Sequence, residues 1–247
     1  MKVSIIIPVF NNWNLTKACL NDLSKLPDDH EIILVDNGST DETKNILNLS
    51  KNQLPVNFVL IRNEDNLGFA KSSNQGAKIA KGEYLIFLNN DIRVKKDLSN
   101  WTNLLTKVAE NDCLVSPTVG LLNASFNFIN ENNIRESDDI INNVDEFKYY
   151  NRYPNSIIYL SGWCLCAKKE IFNKLIINDY DGPFTEEFFT YFEDTDLSIR
   201  AKKLNIKKAQ VYIPLVHFGR MTSTKVGLQS LYRVAREKFI NKWKNQL

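Results

Sequence analysis

Polar residues break four apolar runs early in this chain: Pro8-Val9-Phe10-Asn11, Asp36, Asp65 and Asn89-Asn90-Asp91. Later, Glu193-Asp194 follows the aromatic stretch Phe188-Phe189-Thr190-Tyr191-Phe192, and His217 lies between Val211-Tyr212-Ile213-Pro214 and Phe218-Gly219. Amide and carboxylate oxygens accept hydrogen bonds and ligate hard divalent cations, and a carboxylate within reach of a hydroxyl takes its proton. Adjacent acids on a helix point about 100° apart, so Glu193 and Asp194 cannot both face one reacting atom. Each residue also has a plainer reading. Asp36 can cap a helix, Asp65 and Asp91 can close turns, and an acidic helix start suits the helix dipole. His217 can be a satisfied core residue, and His30, among acidic neighbours ahead of a strand, reads as a surface residue.

The elements that must position these residues follow from periodicity. Residues 2–8 form a β-branched run without polar alternation, as a strand covered on both faces requires. Leu15, Cys19, Leu23 and Leu26 repeat at helical spacing. Residues 31–35 predict a second buried strand ending at Asp36, and Ser39 or Thr40 can cap a short helix with Asp41 and Glu42 in its first turn. A strand over 56–61, a helix over 69–80 stopped by Gly82, and a strand over 84–88 come next. This alternation predicts an α/β fold with a parallel sheet and helices on both faces. Ligands bind outside the carboxyl ends of such strands, so the four early clusters are expected on one rim. Beyond them the pattern predicts a helix over 98–108, a strand over 113–119, a long polar Asn-rich loop over 123–155, and regular structure over 157–167. A helix over 186–203 and a strand over 211–214 complete the main body. A loop as long as 123–155 is usually functional.

Composition removes several classes. With 43% hydrophobic residues, 24% charged residues and a formal charge of +2, the chain has the balance of a globular protein and no whole-chain basic character for nucleic acid. Cys19, Cys113, Cys164 and Cys166 do not form a zinc-ligand spacing, and core packing in a reducing cytoplasm accounts for them. The start, MKVSIIIPVF, reads as a buried strand rather than a secretory signal, and no run approaches the roughly 20 apolar residues of a membrane span.

The segments SIIIPVFNN, EIILVDNGSTDET, NEDNLGFAKSSNQGAKIAKGEYLIFLNND and FFTYFEDTDLSIRAKKLN, in that order, closely resemble glycosyltransferase family 2 across residues 3–218. The resemblance implies the GT-A fold, an α/β architecture with a single Rossmann-like mixed sheet flanked by helices. It also implies inverting transfer from a nucleotide-sugar donor to a glycan or lipid-linked acceptor. It assigns Pro8, Phe10, Asn11, Asp36, Asp65, Lys71 and Asn90 to the nucleotide. Asp91 and His217 are assigned to Mn²⁺ or Mg²⁺, and Gly162 and Trp163 to the acceptor or sugar. The base falls in the Glu193-Asp194 pair, with Asp194 favoured. Asn89 stands where the family's Asp-x-Asp metal motif has its first acid, which puts tight metal binding without donor in doubt. The aromatic run before Glu193 can raise a carboxylate pKa or stack on a sugar. The LNND form also resembles rhamnosyltransferase-like members, which suggests a dTDP- as well as a UDP-linked donor.

Residues 1–220 are expected to form the transferase domain, with 1–95 the nucleotide half and 96–220 the acceptor half. Residues 221–247 then form a basic amphipathic helix. Its stripe of Leu228, Leu231, Tyr232, Ala235, Phe239 and Trp243 fits packing on the domain, a homodimer, or peripheral contact with the inner face of a membrane. A dinucleotide oxidoreductase would require G-x-G-x-x-G after the first strand, and PVFNNWN stands there instead. A non-catalytic sugar- or partner-binding module with a degenerate metal motif is the remaining alternative.

Overall fold

The computed structural model describes residues 1–48, 54–55, 57–95, 100–123, 125–129, 140–146, 156–219 and 225–246. Most of the 123–155 loop and the start of the helix expected at 98 lie outside the described residues.

The first 95 residues alternate strand and helix: β1 (Val3–Val9), α1 (Trp13–Leu23), β2 (His30–Asn37), β3 (Phe58–Asn63), α2 (Phe69–Ile79), β4 (Tyr84–Leu88) and β5 (Ile92–Val94). The order continues through α3 (Trp101–Ala109), β6 (Leu114–Ser116), β7 (Val119–Leu122), β8 (Ile157–Leu160), β9 (Cys164–Lys168) and α4 (Lys169–Asn173). The chain ends in α5 (Glu193–Lys203), β10 (Lys208–Gln210), β11 (Leu215–His217) and α6 (Lys225–Trp243). The main sheet runs β10-β6-β9-β4-β1-β2-β3. All its neighbours pair in parallel except β9, which is antiparallel to both β4 and β6. This is the mixed α/β sheet expected.

Side chains alternate across the central strands and build a core on each face. Val3, Ile5 and Ile7 of β1 pack with Leu20 of α1 and Leu105 of α3, while Ile6 packs with Ala77 of α2 and Leu197 of α5. The reversed β9 has a functional consequence. It starts where β4 ends, so Gly162 and Trp163 reach the same rim as the carboxyl ends of β1 and β4.

Several local expectations are corrected. The strand over 113–119 is two strands in different sheets, β6 and β7, parted at Pro117, which has no N–H to continue a ladder. The helix expected from 186 starts only at Glu193, because Tyr191 and Phe192 take left-handed φ values of 70° and 69°. Residues 211–214 lie between β10 and β11 rather than in a strand. Asp41, not Ser39 or Thr40, caps the short 3₁₀ turn over Glu42–Asn48, its Oδ1 accepting from Thr43 N at 2.9 Å. His30 is buried, held between Asp29 at 2.6 Å and Thr102 Oγ1 at 3.0 Å.

The later part of the C-terminal helix packs inward, while Leu231 stays 38% exposed. Ala235, Phe239 and Trp243 are buried against Leu122, Phe188, Phe192 and Ile199. Among the described residues no helix is long and apolar enough to cross a membrane.

Candidate active site

At the carboxyl ends of β1, β2 and β4, a cleft of about 380 Å³ opens between Pro8, Phe10, Asn37, Asn90 and Asp91 on one side and Phe189, Tyr191 and Leu231 on the other. Its rim is fastened by asparagine side chains. Asn11, with φ 58°, accepts from the backbone N–H groups of Thr40 at 2.8 Å and Asp41 at 3.3 Å, while its own N–H donates to Ser39 Oγ. Asn37 donates to Asn66 Oδ1 and Gly68 O and accepts from Leu67 N, which holds the loop after β3 against the end of β2. Asp36 is 1% exposed. Its Oδ1 accepts from Ser39 N, and its Oδ2 meets the Arg62 guanidinium at 3.2 Å as a charge contact without hydrogen-bond alignment.

Asp91 and His217 meet at the end of β4. Asp91 is 2% exposed, its Oδ1 accepts no hydrogen bond, and that oxygen lies 3.1 Å from His217 Nε2. Asn89 Nδ2 lies 3.3 Å from the same nitrogen. Trp163 stacks on the imidazole at 4.7 Å and 7°, its Nε1 donating to Thr118 Oγ1. A buried carboxylate oxygen without a donor, facing an imidazole nitrogen, is chemically suited to a divalent cation. Among the described residues no cluster of three or more acids, thiols or imidazoles forms a complete cage. Waters and ligand oxygens would fill the remaining coordination positions, as is usual for Mg²⁺.

The third component is the first turn of α5, which holds three carboxylates in three environments. Asp194 is half-buried; its Oδ2 accepts from Gly162 N at 2.9 Å and its Oδ1 from Thr195 N and Oγ1. Glu193 is 8% exposed and its Oε2 accepts nothing. Burial raises both pKa values, and for Glu193, pushed well above the usual range, the neighbouring Asp194 charge adds to the effect. Hydrogen bonds to the charged form hold Asp194 down relative to its neighbour, so of the pair Asp194 is the more readily ionised and Glu193 the more readily protonated. Asp196 is fully buried but accepts from Thr185, Arg200, Lys242 and Trp243. Burial opposes the Asp196 charge, and the Arg200 and Lys242 cations outweigh it and lower the pKa. Asp196 and Arg200, four apart on α5, therefore form a buried anchor rather than an exposed surface pair.

A family model described as glycosyl transferase family 2 matches residues 4–176 of the 247. The chain belongs to that family. Among curated relatives, a poly(ribitol-phosphate) beta-glucosyltransferase of Bacillus spizizenii is 36% identical over 125 residues, 49% of this chain and 20% of the relative. A PGL/p-HBAD biosynthesis glycosyltransferase of Mycobacterium tuberculosis is 38% identical over 89 residues, 36% of this chain and 34% of the relative. The chain thus spans well under half the length of these relatives. The fold is the GT-A fold of solved glycosyltransferases. S. aureus TarS in complex with UDP-GlcNAc superposes with a TM-score of 0.61 at 20% identity, over 95% of this chain and 64% of that one. A mannosyltransferase of Pyrobaculum calidifontis, in complex with GDP-Man and Mn²⁺, gives 0.60 at 17% identity, over 93% and 59%.

In this family 2 chain, Pro8, Phe10, Asn90, Asp91 and His217 line the cleft. Asp36 does not line it but precedes Asn37, which does; at the start of β9 Gly162 donates to Asp194, next to Glu193 in sequence, and Trp163 stacks on His217. Asp65 and Lys71 are exposed and do not line the cleft, and Asn11 is turned away to clamp the rim. Sequence reasoning passed over Asn37 and Asn66, which line the cleft one residue beyond each expected aspartate, and Arg62, which faces Asp36. Leu231 of α6 gave no local signal, because only tertiary packing carries it to the cleft.

Proposed function

We propose that this chain is a metal-dependent, inverting glycosyltransferase. It moves a hexosyl or deoxyhexosyl group from a UDP- or dTDP-linked donor to a hydroxyl of a glycan or lipid-linked acceptor, in the cytoplasmic assembly of a surface polysaccharide. The observation that carries this reading is the placement of a half-buried Asp194, held by the Gly162 N–H, and the Asp91–His217 pair on either side of Gly162-Trp163. The nucleotide-sugar ligands of the TarS and Pyrobaculum structures support the donor class, and the Bacillus relative's name, a poly(ribitol-phosphate) beta-glucosyltransferase, supports a large acceptor.

In the proposed reaction the acceptor hydroxyl attacks the anomeric carbon as the bond to the diphosphate breaks. Asp194 takes the hydroxyl proton, the new glycosidic bond forms with inverted configuration, and the bonding pair leaves with the nucleoside diphosphate. Asp91 and His217 would hold Mn²⁺ or Mg²⁺, whose charge stabilises the departing diphosphate when it is bound. Asp36, whose Oδ2 accepts no hydrogen bond, would accept from a base N–H, and Pro8 and Phe10, which line the cleft, would wall the nucleotide. Glu193 stays neutral beside Asp194, so one carboxylate rather than two carries charge toward the acceptor.

The test is release of nucleoside diphosphate from a panel of donor sugars, with Mn²⁺ or with chelator, in wild type, Asp91→Ala and Asp194→Asn. Metal-dependent release from one donor, lost in both variants, supports the reading. Calorimetry showing no metal-dependent binding of either UDP or dTDP would sink it and favour a binding module.

A further inference from the structure

Two sequence features lie largely outside the proposed chemistry: the Asn-rich segment after β7 and the amphipathic C-terminal helix, of which Leu231 reaches the cleft. They meet beside α5. Asn123 Oδ1 accepts from the backbone N–H groups of Ser125 and Asn127, both at 3.0 Å, and closes a tight turn with Phe126 at φ 58°. That turn is fixed to α6 through the Phe126 ring, edge-on to Phe239 at 5.7 Å, and through Arg236, which donates to the carbonyls of Ser125 and Phe126.

The turn delivers Phe128. Its ring stacks on Phe192 at 5.2 Å and 18°, and lies 5.7 Å from Tyr232 and 5.8 Å from Tyr159, yet Phe128 remains 40% exposed. Tyr232 in turn meets Tyr191, which lines the cleft, at 5.8 Å. The outer edge of the Tyr159 ring lies against Gly120, where a Cβ would come within 2.2 Å of it, so glycine there lets the ring sit in this position. The rings are continuous with the chemistry at both ends. Phe192 directly precedes Glu193, and Gly162, three residues after Tyr159, donates to Asp194.

We propose that Phe128, supported by Phe192 and flanked by Tyr159 and Tyr232, is a stacking platform for a pyranose ring of the acceptor, beside the base. The inference rests on the reading of Asp194 as that base. Packing α6 onto the domain explains Phe126, Phe239 and Trp243, which are covered. It does not explain a row of rings that starts at Tyr159 and Phe192, near Glu193 and Asp194, and ends in a half-exposed phenylalanine. A pyranose offers a rigid apolar C–H face that matches an aromatic ring, and its hydroxyls remain free to reach Asp194. An open alditol phosphate chain, the polymer in the Bacillus relative's name, has no fixed face to present.

Saturation-transfer NMR tests this with methyl β-D-glucopyranoside and methyl N-acetyl-β-D-glucosaminide against ribitol 5-phosphate, using wild type, Phe128→Ala and Phe128→Tyr. Calorimetry of UDP and dTDP binding runs on the same samples. The platform requires saturation of the ring protons on one pyranoside face in wild type and in Phe128→Tyr. Binding should weaken about three- to ten-fold in Phe128→Ala, with nucleotide affinity unchanged. No pyranoside saturation in wild type, equal saturation in Phe128→Ala, or saturation of ribitol 5-phosphate alone would each overturn the proposal. Loss of nucleotide binding in wild type would instead count against the transferase reading, so the two failures are distinguishable.

Discussion

Replacing Glu193 by glutamine is expected to stabilise the protein by an amount that grows with pH. Glu193 is almost fully buried, receives no hydrogen bond at Oε2 and sits beside the Asp194 charge, so the folded chain keeps its proton where the unfolded chain loses it. An unfolded glutamate titrates at about 4.3. Because the folded pKa is raised, wild-type stability is fully present below that value and falls as pH rises toward the folded pKa. Each proton released only on unfolding costs about 1.4 kcal/mol per pH unit. Glutamine has no proton to release, so the difference between variant and wild type should widen by about 1.4 kcal/mol per unit above about pH 5 until the native Glu193 ionises. Buried amide N–H groups introduced by glutamine add a constant offset and leave the slope alone. The lowered pKa values of Asp41, Asp112 and Asp196 act at lower pH, and that of His30 acts in both proteins, so these cancel in the difference. Urea unfolding of both proteins at about pH 5, 6 and 7, with unchanged m-values, measures the slope. A flat difference across that range would refute the neutral Glu193 and reopen the assignment of the base.

Asp196→Ala should destabilise the fold by about 3–5 kcal/mol, because Arg200 and Lys242 lose the carboxylate that balances them and Trp243 loses its acceptor; denaturant midpoints report it. Gly162→Ala places a Cβ 3.2 Å from Asp194 Cβ and should shift the base, lowering kcat up to about a hundred-fold while calorimetry finds nucleotide affinity intact. His217→Ala should raise the Mn²⁺ concentration for half-maximal nucleotide binding at least about ten-fold, since one of two candidate ligands is gone; titration of metal into the nucleotide complex checks it.

The sheet was legible because its central strands are uninterrupted apolar runs, buried on both faces, between turns rich in glycine and asparagine. Periodicity failed where a short strand changes sheets. Residues 113–119 look like one strand in sequence, and only Pro117 hints at the division. The site was legible as clusters at strand ends, but side-chain direction was not. Asn11 and Asn37 have the same chemistry; one clamps the rim and the other also faces the cleft, a difference fixed by left-handed backbone at Asn11 and by the loop after β3. His30 pairs with Thr102, seventy-two positions away, and no local pattern encodes such a contact. Likewise Lys242 and Trp243 meet Asp196 only after α6 has folded back.

The reversed strand β9 leaves a further mark. Asn89, beside the candidate metal ligands, donates its N–H to Trp163 O at 2.8 Å, and the preceding Gly162 donates its own N–H to Asp194 at 2.9 Å. Adjacent residues of one backbone therefore gauge the separation between the donor end and the proton-accepting end of the proposed reaction. A backbone has no rotamers to drift, so this gauge is insensitive to the side chains that cover the cleft. The turn carrying Phe128 and the near end of α6 can then vary from one relative to the next, changing which acceptor is admitted while the spacing of the chemistry stays the same. On this view acceptor preference is the part of the molecule most open to evolutionary or deliberate exchange.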